Sequence, residues 1–339
     1  MAAPPWRAGR RPWCRGFPIR QVTGSSRNAN AIDATGQVWG WGSFADRDGT
    51  DGAAPANSPR RIRIGTRSGG AGALLDGVMT LSSTEFAGAG IRADGTVWHW
   101  GSSEEYGGNA GSGASQLGGL PDPTSPGNRP IYIKGASTNF FLLLENGDVY
   151  YWGGTTANSL PSGLGGVGAR AARIPSLAPW ARHVVGEAGP YIVAVDGGRD
   201  MGAAMLSDGQ VLTWGSNAGR IGGRGTETAP ASEPAINPGL AGIRSMRFSF
   251  TGALFLDGQG GLHGYGAPDD QAALPLVAGP IDTAVSLVTA GQDFFLWQRV
   301  DGTFWGRGYN PDRALGDPRG TQAANRQVSW DLSPLRIPA

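Results

Sequence analysis

The residues of this 339-residue chain that could do chemistry are few and far apart. His99, His183 and His263 are the only histidines, and no His-x-x-x-His or Glu-x-x-His pair offers metal-ligand spacing. His99 and His263 sit in aromatic-rich segments and His183 in an apolar one, which suits packed histidines better than a general acid or base. Cys14 is the only cysteine, so an intramolecular disulfide and a cysteine-rich metal site are both excluded. Residues 46–52, "DRDGTDG", place three aspartates at calcium-loop-like intervals, but the EF-hand order fails and no distal glutamate follows. That stretch reads as a solvated turn. Glu104-Glu105 and Asp269-Asp270 are adjacent pairs, and adjacent side chains on extended backbone point apart, so neither makes an acid-base couple. Residues 163–168, "GLGGVG", fit the dinucleotide-binding glycine pattern, yet the two prolines in "ARAARIPSLAPW" behind it forbid the long helix that pattern needs. No Gly-x-Ser-x-Gly elbow occurs. The expectation is a non-enzyme with no catalytic residue, no metal and no cofactor.

What could position functional groups is therefore an architecture, and composition narrows it. Fifty-eight glycines and twenty-four prolines argue for many turns and against long helices. Twelve tryptophans argue for a packed interior. A net charge of +1 supplies no field toward nucleic acid or anionic membrane, and no run of eighteen apolar residues suggests a membrane span. The N-terminal residues show no secretion signal, so cytoplasm or virion is the expected setting. Lys134 is the only lysine among 28 basic residues, a bias that points to a GC-rich genome, bacterial or viral.

One phrase recurs six times, a turn glycine followed by a second glycine six residues on: "GQVWGWG" (36–42), "GTVWHWG" (95–101), "GDVYYWG" (147–153), "GQVLTWG" (209–215), "GGLHGYG" (260–266) and "GTFWGRG" (302–308). Asp94, Asn146, Asp208 and Asp301 precede the turn glycine, as a type I′ hairpin turn favours. An apolar strand lies before each turn. After it, Val38, Val97, Val149, Val211, Leu262 and Phe304 share one face, and Trp41, Trp100, Trp152, Trp214 and Tyr265 the other. Strands apolar on both faces must be covered on both, which radially stacked sheets achieve. The rings, with Trp305 counted in the same repeat core, would fill the gaps between sheets at a few kcal/mol each, on ~25 cal/mol per Å2.

An upstream strand precedes each copy: "IRQV", "VMTL", "IYIKG", "RHVV" (182–185), "IRSM" and "AVSLV". Residues 189–200 read as an insertion in the fourth copy. With a short Pro-flanked strand closing each copy, the reading is all-β: one β-propeller of six four-stranded blades, seven being the alternative. Its approximate repeats are 19–77, 78–130, 131–181, 182–242, 243–283 and 284–339, after an N-terminal arm over 1–18.

The order Val-x-x-Gly, apolar strand, Asp-Gly, Val-x-x-Trp-Gly, Asn-x-x-Gly-x-Leu-Gly resembles the regulator of chromosome condensation repeat, most closely in "MLSDGQVLTWGSNAGRIGG" (205–223). Leu117-Gly118, Leu164-Gly165, Ile221-Gly222 and Leu315-Gly316 carry its Leu-Gly signature. Copies one and five lack that signature, and Arg307 replaces the tryptophan of copy six. The resemblance spans about residues 19–338. It implies a protein-interaction scaffold, and nucleotide exchange on a small GTPase as the activity of the name-giving members. Inhibition of another enzyme is a further role within the fold.

Two sets of residues are candidates for contact with a partner. The segments after each Trp-Gly are polar and rich in Gly and Asn, and carry Tyr106, Asn109, Asn217, Arg220, Arg224, Tyr309, Asn310 and Arg313. The arm carries Trp6, Arg7, Arg10, Arg11, Trp13 and Arg15, which suit either an anionic or protein groove or a latch onto the last blade. The partner expected is a protein, either a viral structural protein or a host surface receptor, or a glycan. Nucleic acid and membrane insertion are not expected, and a phage tail or capsid-surface component is the specific form considered.

Overall fold

A computed structural model describes residues 18–25, 28–42, 56–65, 72–101, 104, 107–109, 113–154, 160–161, 164–182, 188–199, 201–215, 231–250, 252–266, 279–291, 293–308 and 322–328. Six antiparallel sheets follow one another along the chain. Blade 1 holds β1 (Ile19–Gly24), β2 (Asn28–Asp33), β3 (Val38–Gly42) and β4 (Ala56–Arg61). Blade 2 holds β5 (Val78–Ser83), β6 (Ala87–Arg92), β7 (Val97–Gly101) and β8 (Ser115–Gln116). Blade 3 holds β9 (Pro130–Gly135), β10 (Asn139–Leu144), β11 (Val149–Gly153) and β12 (Gly168–Arg173). Blade 4 holds β13 (Ile192–Gly197), β14 (Met201–Leu206), β15 (Val211–Gly215) and β16 (Ala231–Ile236). Blade 5 holds β17 (Ile243–Phe248), β18 (Gly252–Asp257) and β19 (Leu262–Gly266), with a bridge from Leu262 to Asp282 in place of a fourth strand among the described residues. Blade 6 holds β20 (Val285–Ala290), β21 (Phe294–Arg299), β22 (Phe304–Gly308) and β23 (Gln322–Val328).

Each sheet is a meander in sequence order, and the first strand of every blade pairs only with the second. A 3-10 stretch at Pro175–Trp180 follows β12. The protein is an all-β, six-bladed propeller whose core is a set of seams between blades.

Five seams are visible as apolar clusters. Ile32, Val38 and Ile62 of blade 1 pack on Val78, Leu81 and Trp100 of blade 2. Blade 2 meets Phe140, Leu142 and Trp152 of blade 3. Blade 3 meets Ile192, Val195 and Trp214 of blade 4, and Leu177 of the 3-10 stretch packs into the same cluster. Blade 4 meets Phe255 and Tyr265 of blade 5, and blade 5 meets Phe295 and Trp297 of blade 6. Trp100, Trp152, Trp214 and Tyr265 are thus the wedges between sheets, each facing the preceding blade. Two of them lie on glycine. Trp100 is paired with Gly88 and Trp214 with Gly202, where a Cβ would collide with the indole. Trp152 instead stacks on Phe140, with ring centroids 4.8 Å apart and planes 13° from parallel.

The structure corrects three expectations. The hairpin turns are not type I′, because among the described residues only Ala284 has a positive φ without being glycine. Gly36, Gly95, Gly147, Gly209, Gly260 and Gly302 have φ of 82–87° at the last position of a three-residue loop, the type I turn with a glycine bulge. Asp94, Asp208 and Asp301 cap these turns by accepting the N–H two residues on. In blades 1 and 5 the acid moves to the strand end, where Asp33 and Asp257 do the same. This is why, in the fifth copy, Asp257-Gly258 stands two residues ahead of the glycine pair Gly260-Gly261.

Second, the innermost strand of blade 4 is Ile192–Gly197, inside the supposed insertion. It pairs with β14 as β9 pairs with β10. Third, Trp305, counted in the repeat core, is half-buried at the edge of the blade 5–6 cluster, two residues short of the wedge position held by Arg307. Its register is that of Trp39 and Trp98, and Arg299 lies over its ring at 4.0 Å. Phe295 and Trp297 fill the blade 5–6 seam and Trp305 packs against their cluster, with Trp297 Nε1 donating to Asp282 at 2.6 Å.

All six innermost strands carry a β-bulge at their second residue. Arg20, Met79, Ile131, Val193, Arg244 and Ser286 are the residues left without a partner in the register.

Candidate functional site

The bulge fixes the phase of each innermost strand, so equivalent positions can be compared around the ring. The fourth residue is apolar in every blade: Val22, Leu81, Ile133, Val195, Met246 and Val288. The fifth is polar in every blade: Thr23, Ser82, Lys134, Asp196, Arg247 and Thr289. Strand alternation sends the two sets to opposite faces. Five of the six polar residues line a single cavity of about 700 Å3 at the C-terminal ends of the innermost strands, the mouth of the central channel. All six blades contribute to its wall, and its size is that of an ordinary small-molecule pocket.

The polar ring ties neighbouring blades together. Gly135 N–H donates to Ser82 Oγ at 2.8 Å, across the blade 2–3 seam. Lys134 Nζ lies 3.3 Å from Asp196 Oδ2, across the blade 3–4 seam. Gln21 completes the free edge of β5, donating to Leu81 C=O at 2.8 Å and accepting its N–H at 3.1 Å. Asp196 is 1% exposed and also accepts Gly197 N–H at 2.8 Å. Burial raises its carboxyl pKa, and the charges of Lys134 and Arg247 pull the other way without cancelling the rise. Burial also raises the Tyr132 phenol, with the Asp196 charge adding to it and Arg247 opposing.

Charge is distributed unevenly at this mouth. Lys134, Asp196 and Arg247 occupy blades 3, 4 and 5, while Glu85 and Asp293 line the wall from blades 2 and 6. Hydroxyls stand at the ring register of blades 6, 1 and 2.

The topology starts the segments singled out from sequence at the mouth face. The third strand of each blade runs toward the same end as the first, so every segment after Trp-Gly or its equivalent departs from the mouth face. Of the candidate contact residues, Asn109 is the one described. Its Nδ2 donates to Gly113 C=O and, at 3.0 Å, to Ser115 Oγ, so the side chain organises its own loop. Trp6, Arg7, Arg10, Arg11, Trp13, Tyr106, Asn217, Arg220, Arg224, Tyr309, Asn310 and Arg313 lie outside the described residues, as do His183 and the aspartates of 46–52. His99 is buried; its Nδ1 sits 2.9 Å from Gly107 C=O, and burial lowers its pKa. His263 Nε2 pairs with Asp257 at 3.0 Å. Strand β12 begins at the last glycine of "GLGGVG", so no helix follows that motif.

Sequence reasoning missed the ring. Lys134 stood out only as the sole lysine, and Arg247 not at all. The signal was the fifth residue of each upstream strand, and misplacing the fourth strand hid Asp196.

Comparison with known proteins agrees with this architecture. No family model matches the chain. The chain is 25% identical over 201 residues to the RCC1 domain-containing protein RUG3, mitochondrial, of Arabidopsis thaliana, covering 58% of this chain and 42% of that protein. It is 26% identical over 248 residues to the human E3 ubiquitin-protein ligase HERC2, covering 70% of this chain and 5% of that one. It therefore spans under half of these relatives' lengths. Among solved structures, human WBSCR16 superposes with a TM-score of 0.67 at 16% identity, covering 92% of this chain and 82% of that one. Yeast RCC1 (Prp20), in its complex with Kap60, gives 0.69 at 17% identity, covering 93% and 76%. Prp20p of Saccharomyces cerevisiae, solved with a study of its binding to Gsp1p and histones, gives 0.68 at 18% identity, covering 93% and 78%.

Proposed function

We propose, from the premise that this chain is an RCC1-type β-propeller, that it is a non-catalytic protein-binding module whose working face is the channel mouth. One observation carries the reading: the polar ring and the departure points of the six segments that follow Trp-Gly or its equivalent share that face. A ring from whose mouth face six polar, Gly- and Asn-rich segments depart favours recognition by many modest contacts. The yeast propeller Prp20, solved bound to Kap60 and studied for its binding to Gsp1p and histones, supports a protein partner over a glycan.

The test is face-selective blocking. In a Cys14→Ser background, a polyethylene-glycol maleimide attached at Ser25→Cys, on the mouth, should abolish partner capture. The same label at Gln259→Cys, on an exposed hairpin turn of the opposite face, should leave capture intact. Equal effects at the two positions would remove the reading.

The setting we put forward is a phage virion, as a tail or capsid-surface component; it rests on the arginine-for-lysine usage. Mass spectrometry of purified particles tests it, and absence of the chain from them would discard it. A second reading, nucleotide exchange on a small GTPase, is favoured by the superposition on Prp20p. Accelerated release of a fluorescent guanine nucleotide from a GTPase would put that reading first.

A further inference from the structure

We propose that the Lys134–Asp196–Arg247 sector of the mouth is a seat for an oxyanion, a carboxylate or phosphate group held between the Lys134 ammonium and the Arg247 guanidinium. The proposal deepens the binding reading above and rests on the mouth being the working face. Two cations flank one buried carboxylate at the same register of the innermost strands of three consecutive blades. Asp196 neutralises one of them, so the sector keeps a net positive charge.

The donors are in surplus. Lys134 has three N–H groups and Asp196 is its one ion-pair partner among the described residues. Arg247 has five N–H groups, donates one to Met246 C=O at 2.6 Å, and forms no ion pair among the described residues. Both side chains line the cavity. A guanidinium and an ammonium on the wall of one cavity can together match the several lone pairs of a carboxylate or phosphate.

Asp196 has a second effect. Buried beneath the cations, it holds Lys134 across the seam and fixes where the ammonium points. Glu85 and Asp293, on blades 2 and 6, repel an anion from the opposite wall. Together they orient a ligand with its negative end toward blades 3 to 5. The oxyanion can come from a partner's aspartate or glutamate side chain or from a free small molecule, and the chemistry of the seat is the same.

Lys134 is the chain's only lysine, so an amine-reactive ester labels it and the α-amino group alone. The rate of Lys134 acylation, read by peptide mass spectrometry, should fall at least threefold in millimolar inorganic phosphate. The α-amino rate serves as internal control and should not change. Chloride at equal ionic strength should not protect. In Arg247→Gln the phosphate protection should disappear. If that variant does not fold, the contrast between phosphate and chloride on the native chain decides alone. No protection, or equal protection by chloride, overturns the proposal.

A second arm separates the sources. Partner capture that phosphate competes away, and that Arg247→Gln loses, identifies a partner's acidic side chain. Phosphate protection with capture unchanged identifies a free anion. The first arm uses the isolated chain, so a failed capture experiment would count against the binding reading and leave the seat standing.

Discussion

The seam between blades 3 and 4 and the junction between blades 6 and 1 use the same strand positions to opposite effect. At the first, Phe141, Leu143 and Tyr151 face Ile192, Val195 and Trp214, none more than 2% exposed. Phe141 meets Trp214 edge-on, with centroids 6.1 Å apart and planes at 83°. At the second, the equivalents of Ile192 and Val195 are Ile19 and Val22, which are 49% and 61% exposed. Trp41 is half-buried, and on blade 6 so is Phe304. Leu296 and Val328 of blade 6 form a cluster that includes no residue of blade 1 among the described residues.

The difference teaches that residue type and register prepare a wedge, while burial comes from what the neighbour offers. Elsewhere a leucine after the outer strand enters the seam, as Leu75, Leu177 and Leu240 do. The corresponding stretch of blade 6, after Val328, lies outside the described residues. So does the chain before Pro18.

Four measurements would break or sharpen this contrast. The largest effect is expected at the wedges. Trp214→Ala should cost about 3–5 kcal/mol in denaturant unfolding, and Trp41→Ala about 1 kcal/mol. Equal losses would erase the distinction between the seams. Next, Gly202→Ala should cost about 1–3 kcal/mol, since the new methyl meets the Trp214 indole. Blade 1 already has alanine there, Ala29 opposite Trp41. Ala29→Gly should cost only about 0.5–1 kcal/mol, through backbone entropy.

The third measurement is thermal stability against pH. Burial raises the Asp196 pKa, so the folded chain keeps that proton to higher pH than the unfolded one. Stability from this group is full below the unfolded value near 3.8 and is lost as pH rises through the native value. At Asp33, burial pulls upward, but hydrogen bonds from Thr35, Trp39 and Gln37 outweigh it and lower the pKa. Its contribution is full above about 3.8 and is lost as pH falls. Asp196→Asn should remove the first slope and Asp33→Asn the second; the reverse pattern would contradict both assignments. The smallest effect belongs to Val22→Ser, within about 0.5 kcal/mol, where Leu81→Ala at the equivalent position should cost about 2–5 kcal/mol.

Much of the ring was legible before any coordinates, because packing leaves a periodic trace. Val97, Val149 and Val211 on one face and Trp100, Trp152 and Trp214 on the other repeat once per blade, and their burial follows. The turn glycines were equally plain. The turn type was not, since Asp-Gly serves a two-residue and a three-residue loop alike, and only the strand register separates them. The polar ring was harder to read. Thr23, Ser82 and Thr289 are commonplace residues individually, and their meaning appears when six strands are brought around one axis. Asp196 was hidden by its neighbours, because "RHVV" (182–185) took the place of the upstream strand and "IVAVDGG" fell within the stretch read as an insertion. Trp305 misled in the opposite sense: an indole in the right phrase, two residues from the wedge position.

The recurrent bulge has a consequence for what can enter the axis. A bare sheet edge invites an extended peptide to lie along it and continue the hydrogen-bond ladder. Here six such edges surround one hole, yet each is kinked one residue after it begins. At β5 the Gln21 amide already occupies a free rung. A visiting polypeptide finds no long flat rail to zip onto. The bulges thus discourage the runaway stacking to which open sheets are prone.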